Sequence, residues 1–163
     1  IKVIDKAKAR SIAANKVGGK TQTYVLVLGD RFTRELSTAT LGSRKPEEVV
    51  PKAAALLDAL NPKPNQLVTD NEEAFLSPAM QRVLNERNIV HRLKEPAGKR
   101  ESLQLNSVLD AGIKKLSEKL SVARGPSSAW VPYLAHVVSE TNSAGNYRRG
   151  MMGSSSDKAR WRF

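Results

Sequence analysis

Apolar and polar positions along this chain change rhythm about a quarter of the way in. Residues Ile1 to Ala7 alternate weakly, and Tyr24 to Leu28 form a continuous apolar run rich in β-branched side chains, the pattern of a strand buried on both faces. Between them, Lys16 to Thr23 is a turn region centred on Gly18-Gly19. After a turn at Gly29-Asp30, Phe32, Arg34, Leu36, Thr38 and Thr40 alternate with Thr33, Glu35, Ser37 and Ala39 up to Leu41. That period of two predicts a strand over 32–41, antiparallel to its predecessor in a hairpin.

Beyond residue 42 the spacing lengthens to three and four. Val49, Val50, Ala53, Leu56, Leu57 and Leu60 mark one helical side, with Ser43 as the expected cap, Pro46, Glu47 and Glu48 in the first turn, and Asn61-Pro62 as the stop. Gln66 to Thr69 reads as a strand, Ser77-Pro78 opens a helix to about Arg87, and Ile89 to Leu93 reads as a fifth strand. Leu105, Leu109, Ile113, Leu116 and Leu120 predict an amphipathic helix over 103–122, broken by Gly125-Pro126. Ser127 or Ser128 can cap a last helix to about Thr141, with Trp130, Leu134, Val137 and Val138 inward and Pro132 in its first turn; residues 143–163 read as loosely ordered.

Composition narrows what such a chain can be. Its 163 residues, 40% of them hydrophobic, suit one domain with its own core. There is no cysteine, and the two histidines, His91 and His136, lie far apart, so neither a disulfide framework nor a zinc cluster can be built. No apolar stretch approaches the roughly 20 residues that cross a bilayer, so no membrane partner is expected. Because the sequence opens at Ile1 inside a strand-like run, it is expected to be a segment of a larger product with further flanking domains.

Charge sharpens this. The net charge is +11, and the ends carry most of it: residues 1–20 hold six basic side chains and one acid, and residues 146–163 hold five and one. The interior, with sixteen basic and fourteen acidic side chains, has the balance of an ordinary solvated surface. Basic ends release counterions from phosphates, which points to a nucleic acid, although basic tails also serve solubility. Arg148, Arg149, Lys158, Arg160 and Arg162, interleaved with Tyr147 and Trp161, form a tail suited to phosphates and base stacking, so 146–163 is set apart from a domain over 1–145.

Candidate chemistry centres on Asp70, which ends an apolar strand in the run Leu67-Val68-Thr69-Asp70-Asn71-Glu72. A desolvated carboxylate needs a partner, and a divalent cation is one; a plain Asp-Asn turn is the other reading. Asp110 lies four residues before Lys114 on the predicted helix, which suits either a metal ligand or an exposed ion pair. Asp5 sits among Lys2, Lys6 and Lys8, where an ordinary edge-strand charge is the plain reading. Lys114, Lys115 and Lys119 follow Asp110 on that helix as candidate phosphate contacts or a solvated face. Trp130 and Trp161 suit core or docking positions, and His91 is assigned no role.

Strand order together with "VLVLGDRFTRELSTATL", "LVTDNEEAF" and "LQLNSVLDAGIKKLSEKL" resembles the integrase catalytic core of retroviruses and long-terminal-repeat retrotransposons, over nearly the whole chain. The resemblance implies an α/β, ribonuclease-H-like fold: a five-stranded mixed sheet, three N-terminal strands antiparallel and two further strands parallel, flanked by helices. It matches Asp5, Asp70 and Asp110 to the family's three catalytic, metal-holding acids, with Asp30 and Glu101 as rivals, Asp30 serving instead the hairpin turn. It implies magnesium or manganese, two ions about 3.5 to 4 Å apart, and in-line displacement that trims DNA ends and joins them to target DNA. A homodimer or larger assembly and a nuclear location follow from the same likeness.

The sequence also departs from the family pattern. Glu72 stands where a small Gly is common, Lys94 to Gln104 lacks the usual proline- and glutamine-bearing loop, and Asp110 replaces a Glu. The shorter side chain withdraws its oxygens by about 1.5 Å. These departures favour a second reading: a domesticated, catalytically inactive descendant that binds RNA or serves as a structural subunit of a ribonucleoprotein, in an organelle or the cytoplasm.

Overall fold

A computed structural model describes residues 2–5, 15–30, 33, 35–94, 112, 114–122 and 129–151, with backbone alone for 2–5 and 144–151. Strand β1 (Lys2–Asp5) is followed by a short hairpin of β2 (Lys16–Val17) and β3 (Lys20–Thr21), then β4 (Tyr24–Gly29) and β5 (Leu36–Leu41). Helix α1 (Pro46–Ala59), β6 (Gln66–Thr69), α2 (Glu73–Leu76), α3 (Pro78–Glu86) and β7 (Val90–Leu93) come next. Helical residues 114–122 (α4) and α5 (Val131–Met151) complete the order. The β2–β3 turn is built by Gly18 and Gly19 at φ +56° and +78°, the left-handed pair that a tight hairpin requires.

β4 is the spine of an antiparallel three-stranded ladder in the order β1-β4-β5, and β6 pairs with β7 in parallel. All five expected strands are therefore present with the expected directions. Hydrogen bonding among the described residues leaves them as a triple and a pair, where one continuous five-stranded sheet was expected. What joins the two ladders is packing. Tyr24, Leu26 and Leu28 of β4 meet Val49, Val50, Ala53 and Leu57 of α1, Leu67 of β6, Phe75 of α2, and Met80 and Leu84 of α3. The alternate residues Val25 and Val27 meet Leu36, Leu116 and Leu120 of α4, Trp130, and Leu134 and Val137 of α5. The run Tyr24 to Leu28 is apolar throughout because helices cover both faces of the strand.

Three local expectations are corrected. β5 starts at Leu36 rather than Phe32: the N–H of Asp30 donates to Glu35 C=O at 2.9 Å and the Thr33 hydroxyl to Asp30 Oδ2 at 2.9 Å, closing a turn where the alternation suggested strand. Asp30 serves this turn, the role expected of it. Ser43 does not cap α1, whose capping residue is Lys45. The Glu48 carboxylate instead reaches back and accepts from the N–H groups of Gly42 (2.6 Å) and Ser43 (3.0 Å). Finally, α5 continues past Thr141 to Met151. The amide of Asn142 is engaged by the backbone of Leu36 and so does not compete for its own helix.

Helix ends elsewhere follow their sequence signals. Ser77 caps α3 by accepting from Met80 N–H at 3.2 Å. Asn88, at φ +53°, ends the helix in a Schellman motif, with Ile89 N–H on Leu84 C=O and Asn88 N–H on Asn85 C=O. The start of α5 is capped from far away: the buried Asn15 accepts from Trp130 N–H (2.9 Å) and Val131 N–H (3.3 Å). The expected caps Ser127 and Ser128 lie outside the described residues, as do Leu105, Leu109 and Ile113. Among the described residues no helix is long and apolar enough to cross a membrane.

Candidate functional site

β6 ends at Thr69, which is almost fully buried, and the next residue, Asp70, turns outward at 25% side-chain exposure. A carboxylate at the carboxyl end of a parallel strand stands where open α/β folds place their ligands. Its loop is held from several sides. The C=O of Thr69 accepts from Lys94 N–H at 2.8 Å, and the Lys94 ammonium lies 3.7 Å from Asp70 Oδ1. The Thr69 hydroxyl lies 2.9 Å from His91 Nε2, whose Nδ1 lies 2.9 Å from the Gln81 amide nitrogen. Burial holds the His91 imidazole below its ordinary value, so it is neutral at pH 7.

On the other flank, Glu72 opens α2 through its C=O, which accepts from Phe75 and Leu76 N–H groups. Its carboxylate takes Arg44 Nη2 at 2.5 Å and Nε at 3.3 Å. The Arg44 guanidinium in turn lies over the Tyr24 ring, 5.7 Å from its centre. Tyr24 is the cross-strand partner of Asp5. Contacts thus run from the loop after β6, through Glu72 and Arg44, to the end of the β1–β4 ladder where Asp5 stands in register. Glu72, the departure from a small glycine, gives that loop an anchor.

The other sequence-derived candidates are placed unevenly. Asp110 and Glu101 lie outside the described residues; Gly112, two positions after Asp110, packs on Leu36. Lys114 pairs with Glu118 at 3.9 Å, Lys119 reaches Glu140 of α5 at 3.6 Å, and Lys115 is exposed. Arg148 and Arg149 fall within α5, described there by backbone alone, while Lys158, Arg160 and Arg162 lie outside the described residues. Trp130 is core.

For a divalent ion, Asp70 fits as one hard oxygen donor, partly exposed at a strand end. Among the described residues no group of three His, Asp or Glu side chains converges. Sequence reasoning missed Lys94, Arg44, Gln81 and the role of His91. The signal for His91 was its place on β7, but its partner Thr69 is set by the parallel register, in which Leu67 faces His91 and Thr69 faces Leu93. Nothing local in the sequence encodes that register.

No protein-family model matches this chain, and no curated protein matches it either. Solved structures do. The catalytic core domain of BIV integrase superposes with a TM-score of 0.60 over 71% of this chain and 72% of that one, at 13% identity. A simian T-cell lymphotropic virus intasome in complex with PP2A regulatory subunit B56 gamma matches with a TM-score of 0.50 over 78% of this chain and 43% of that one, at 18% identity. The fold is that of retroviral integrase catalytic cores, a ribonuclease-H-like fold.

Proposed function

We propose that this chain is an integrase-type catalytic core, a polynucleotidyl transferase that trims DNA ends and joins them to target DNA. The observation that carries the reading is Asp70, a carboxylate at the end of a parallel strand, on a fold whose solved likenesses are integrase cores. Asp5 and Asp110 complete the proposed acidic set, with Asp5 at the ladder end that Tyr24, Arg44 and Glu72 tie to the Asp70 loop. Magnesium or manganese held by these carboxylates would neutralise phosphate charge and activate the attacking oxygen. Lys94 keeps the Asp70 carboxylate charge-balanced before substrate arrives and is placed to turn toward a phosphate. Lys114, Lys115 and Lys119, with the basic residues of the C-terminal tail, supply the phosphate contacts that seat the DNA. A second copy of the chain is the proposed partner in assembly.

One observation favours the second reading, a fold retained for binding RNA or for shape within a ribonucleoprotein: the Lys94 ammonium already lies beside the carboxylate that a metal ion would need. The test is metal-dependent nicking and joining of a DNA duplex by the full chain beside Asp70→Asn. The integrase reading expects product with magnesium or manganese, and at least a hundredfold less from the variant at an unchanged thermal midpoint. A well-folded wild-type chain that yields no metal-dependent product leaves the RNA-binding reading in its place.

A further inference from the structure

The C=O of Phe75 can only accept, so the end of the Gln81 amide turned toward it, at 3.3 Å, is the nitrogen. The same NH2 group reaches His91 Nδ1 at 2.9 Å. A ring nitrogen that accepts there carries no proton, so the hydrogen of the neutral imidazole sits on Nε2 and is donated to Thr69 Oγ1 at 2.9 Å. Both ring nitrogens are therefore engaged, and His91 keeps no lone pair for a metal. Thr69 in turn receives Lys94 N–H on its carbonyl and passes directly into Asp70.

From this we infer that His91 is a positioning residue for the Asp70 loop, a neutral bridge that locks the end of β6 to α3 and β7 through Thr69. The inference rests on the reading of Asp70 as a reacting-site carboxylate and names what sets that carboxylate in place. His91 acts only through Thr69. A fixed tautomer is essential, because a proton on Nδ1 would set donor against donor at Gln81 and remove the acceptor that orients the ring. Thr69 is 1% exposed, so water cannot replace the bond to its hydroxyl without opening the strand end.

The experiment uses the full chain, without metal or DNA. Long-range nitrogen–proton correlation of labelled histidine should show the hydrogen of His91 on Nε2. His91→Leu should raise exchange of the Lys94 amide about tenfold and move the Asp70 carboxyl resonance. His91→Gln, which keeps one donor and one acceptor, should restore both. Should His91→Leu fail to fold, Thr69→Val and Thr69→Ser serve as the disrupting and restoring pair. A hydrogen on Nδ1, an unchanged Lys94 amide and Asp70 resonance in the disrupting variant, or no recovery in a folded restoring variant overturns the inference. Absence of DNA product from wild type, with these results intact, sinks only the catalytic reading.

Discussion

Two side chains show how far a single titratable group is committed to this fold. Burial alone would push the Glu48 carboxyl up, but the Gly42 N–H, the Lys52 ammonium and the Ser43 hydroxyl outweigh it and hold the group below an ordinary glutamate. Its stabilisation is present above the usual glutamate range and is lost as pH falls through the lowered folded value. Glu48→Gln keeps the shape and removes the charge, and should cost about 1–3 kcal/mol, read as a lower urea midpoint at unchanged slope. His91 works at milder pH with the same sign. Its folded form binds a proton more weakly than the unfolded chain, whose histidine titrates near 6.5, so stability is complete above that value and declines as pH falls through it toward the lowered folded value. The thermal midpoint of wild type should fall between pH 7.5 and 5.5, while His91→Gln should fall less over that window; parallel curves would remove His91 from the account.

Among the elements, β5 and α5 bear on one another through a contact that no local pattern announces. Among the described residues β5 is an edge strand, and the outward N–H and C=O of Leu36 are both taken by the Asn142 amide, at 2.8 and 2.9 Å. The Lys52 ammonium donates to Thr40 C=O further along the same edge. Side chains on two helices thus occupy an edge that would otherwise be open to pairing with another chain. Asn142→Ala should cost about 1–3 kcal/mol and speed exchange of the Leu36 amide; Asn142→Asp should restore only the half that accepts from Leu36 N–H. The strands and helices themselves were readable in the sequence because each turns on periodicity: Tyr24 to Leu28, Gln66 to Thr69 and the face of α1 needed only local spacing. The corrected ends were not readable, because a partner remote in sequence or an unanticipated side chain decided each one. Glu48 displaced Ser43 at α1, the Asn142 amide bound to the Leu36 backbone lies where α5 runs on past Thr141, and the Asp30–Thr33 turn shortened β5. The site divides the same way: Asp70 was visible as a carboxylate closing an apolar strand, while the His91 and Arg44 anchors depend on tertiary register.

At the scale of the whole molecule, the uneven charge makes a claim that the fold does not. The +11 net charge is concentrated at the two ends, whereas the lysines of α4 face local competition: Lys114 has Glu118 and Lys119 has Glu140 beside it. A phosphate that recruits either lysine must first draw it from a carboxylate, which discounts that contact; surface pairs of this kind are worth about 0–1 kcal/mol. The basic residues after position 146, five against a single acid, lack that dense local opposition. Nucleic-acid affinity should therefore fall steeply with salt, and the tail should contribute more of the slope per residue than the α4 lysines. Changing Arg148, Arg149, Lys158, Arg160 and Arg162 to Gln should flatten log K against log salt by as much as about 4.5, at about 0.9 per phosphate contact on duplex DNA. Changing Lys114, Lys115 and Lys119 should flatten it less per residue. Anisotropy titrations of a DNA duplex and an RNA of equal length, from about 50 to 200 mM salt, measure both slopes. If the α4 lysines carry the larger share per residue, binding is centred on α4 and the tail has another use.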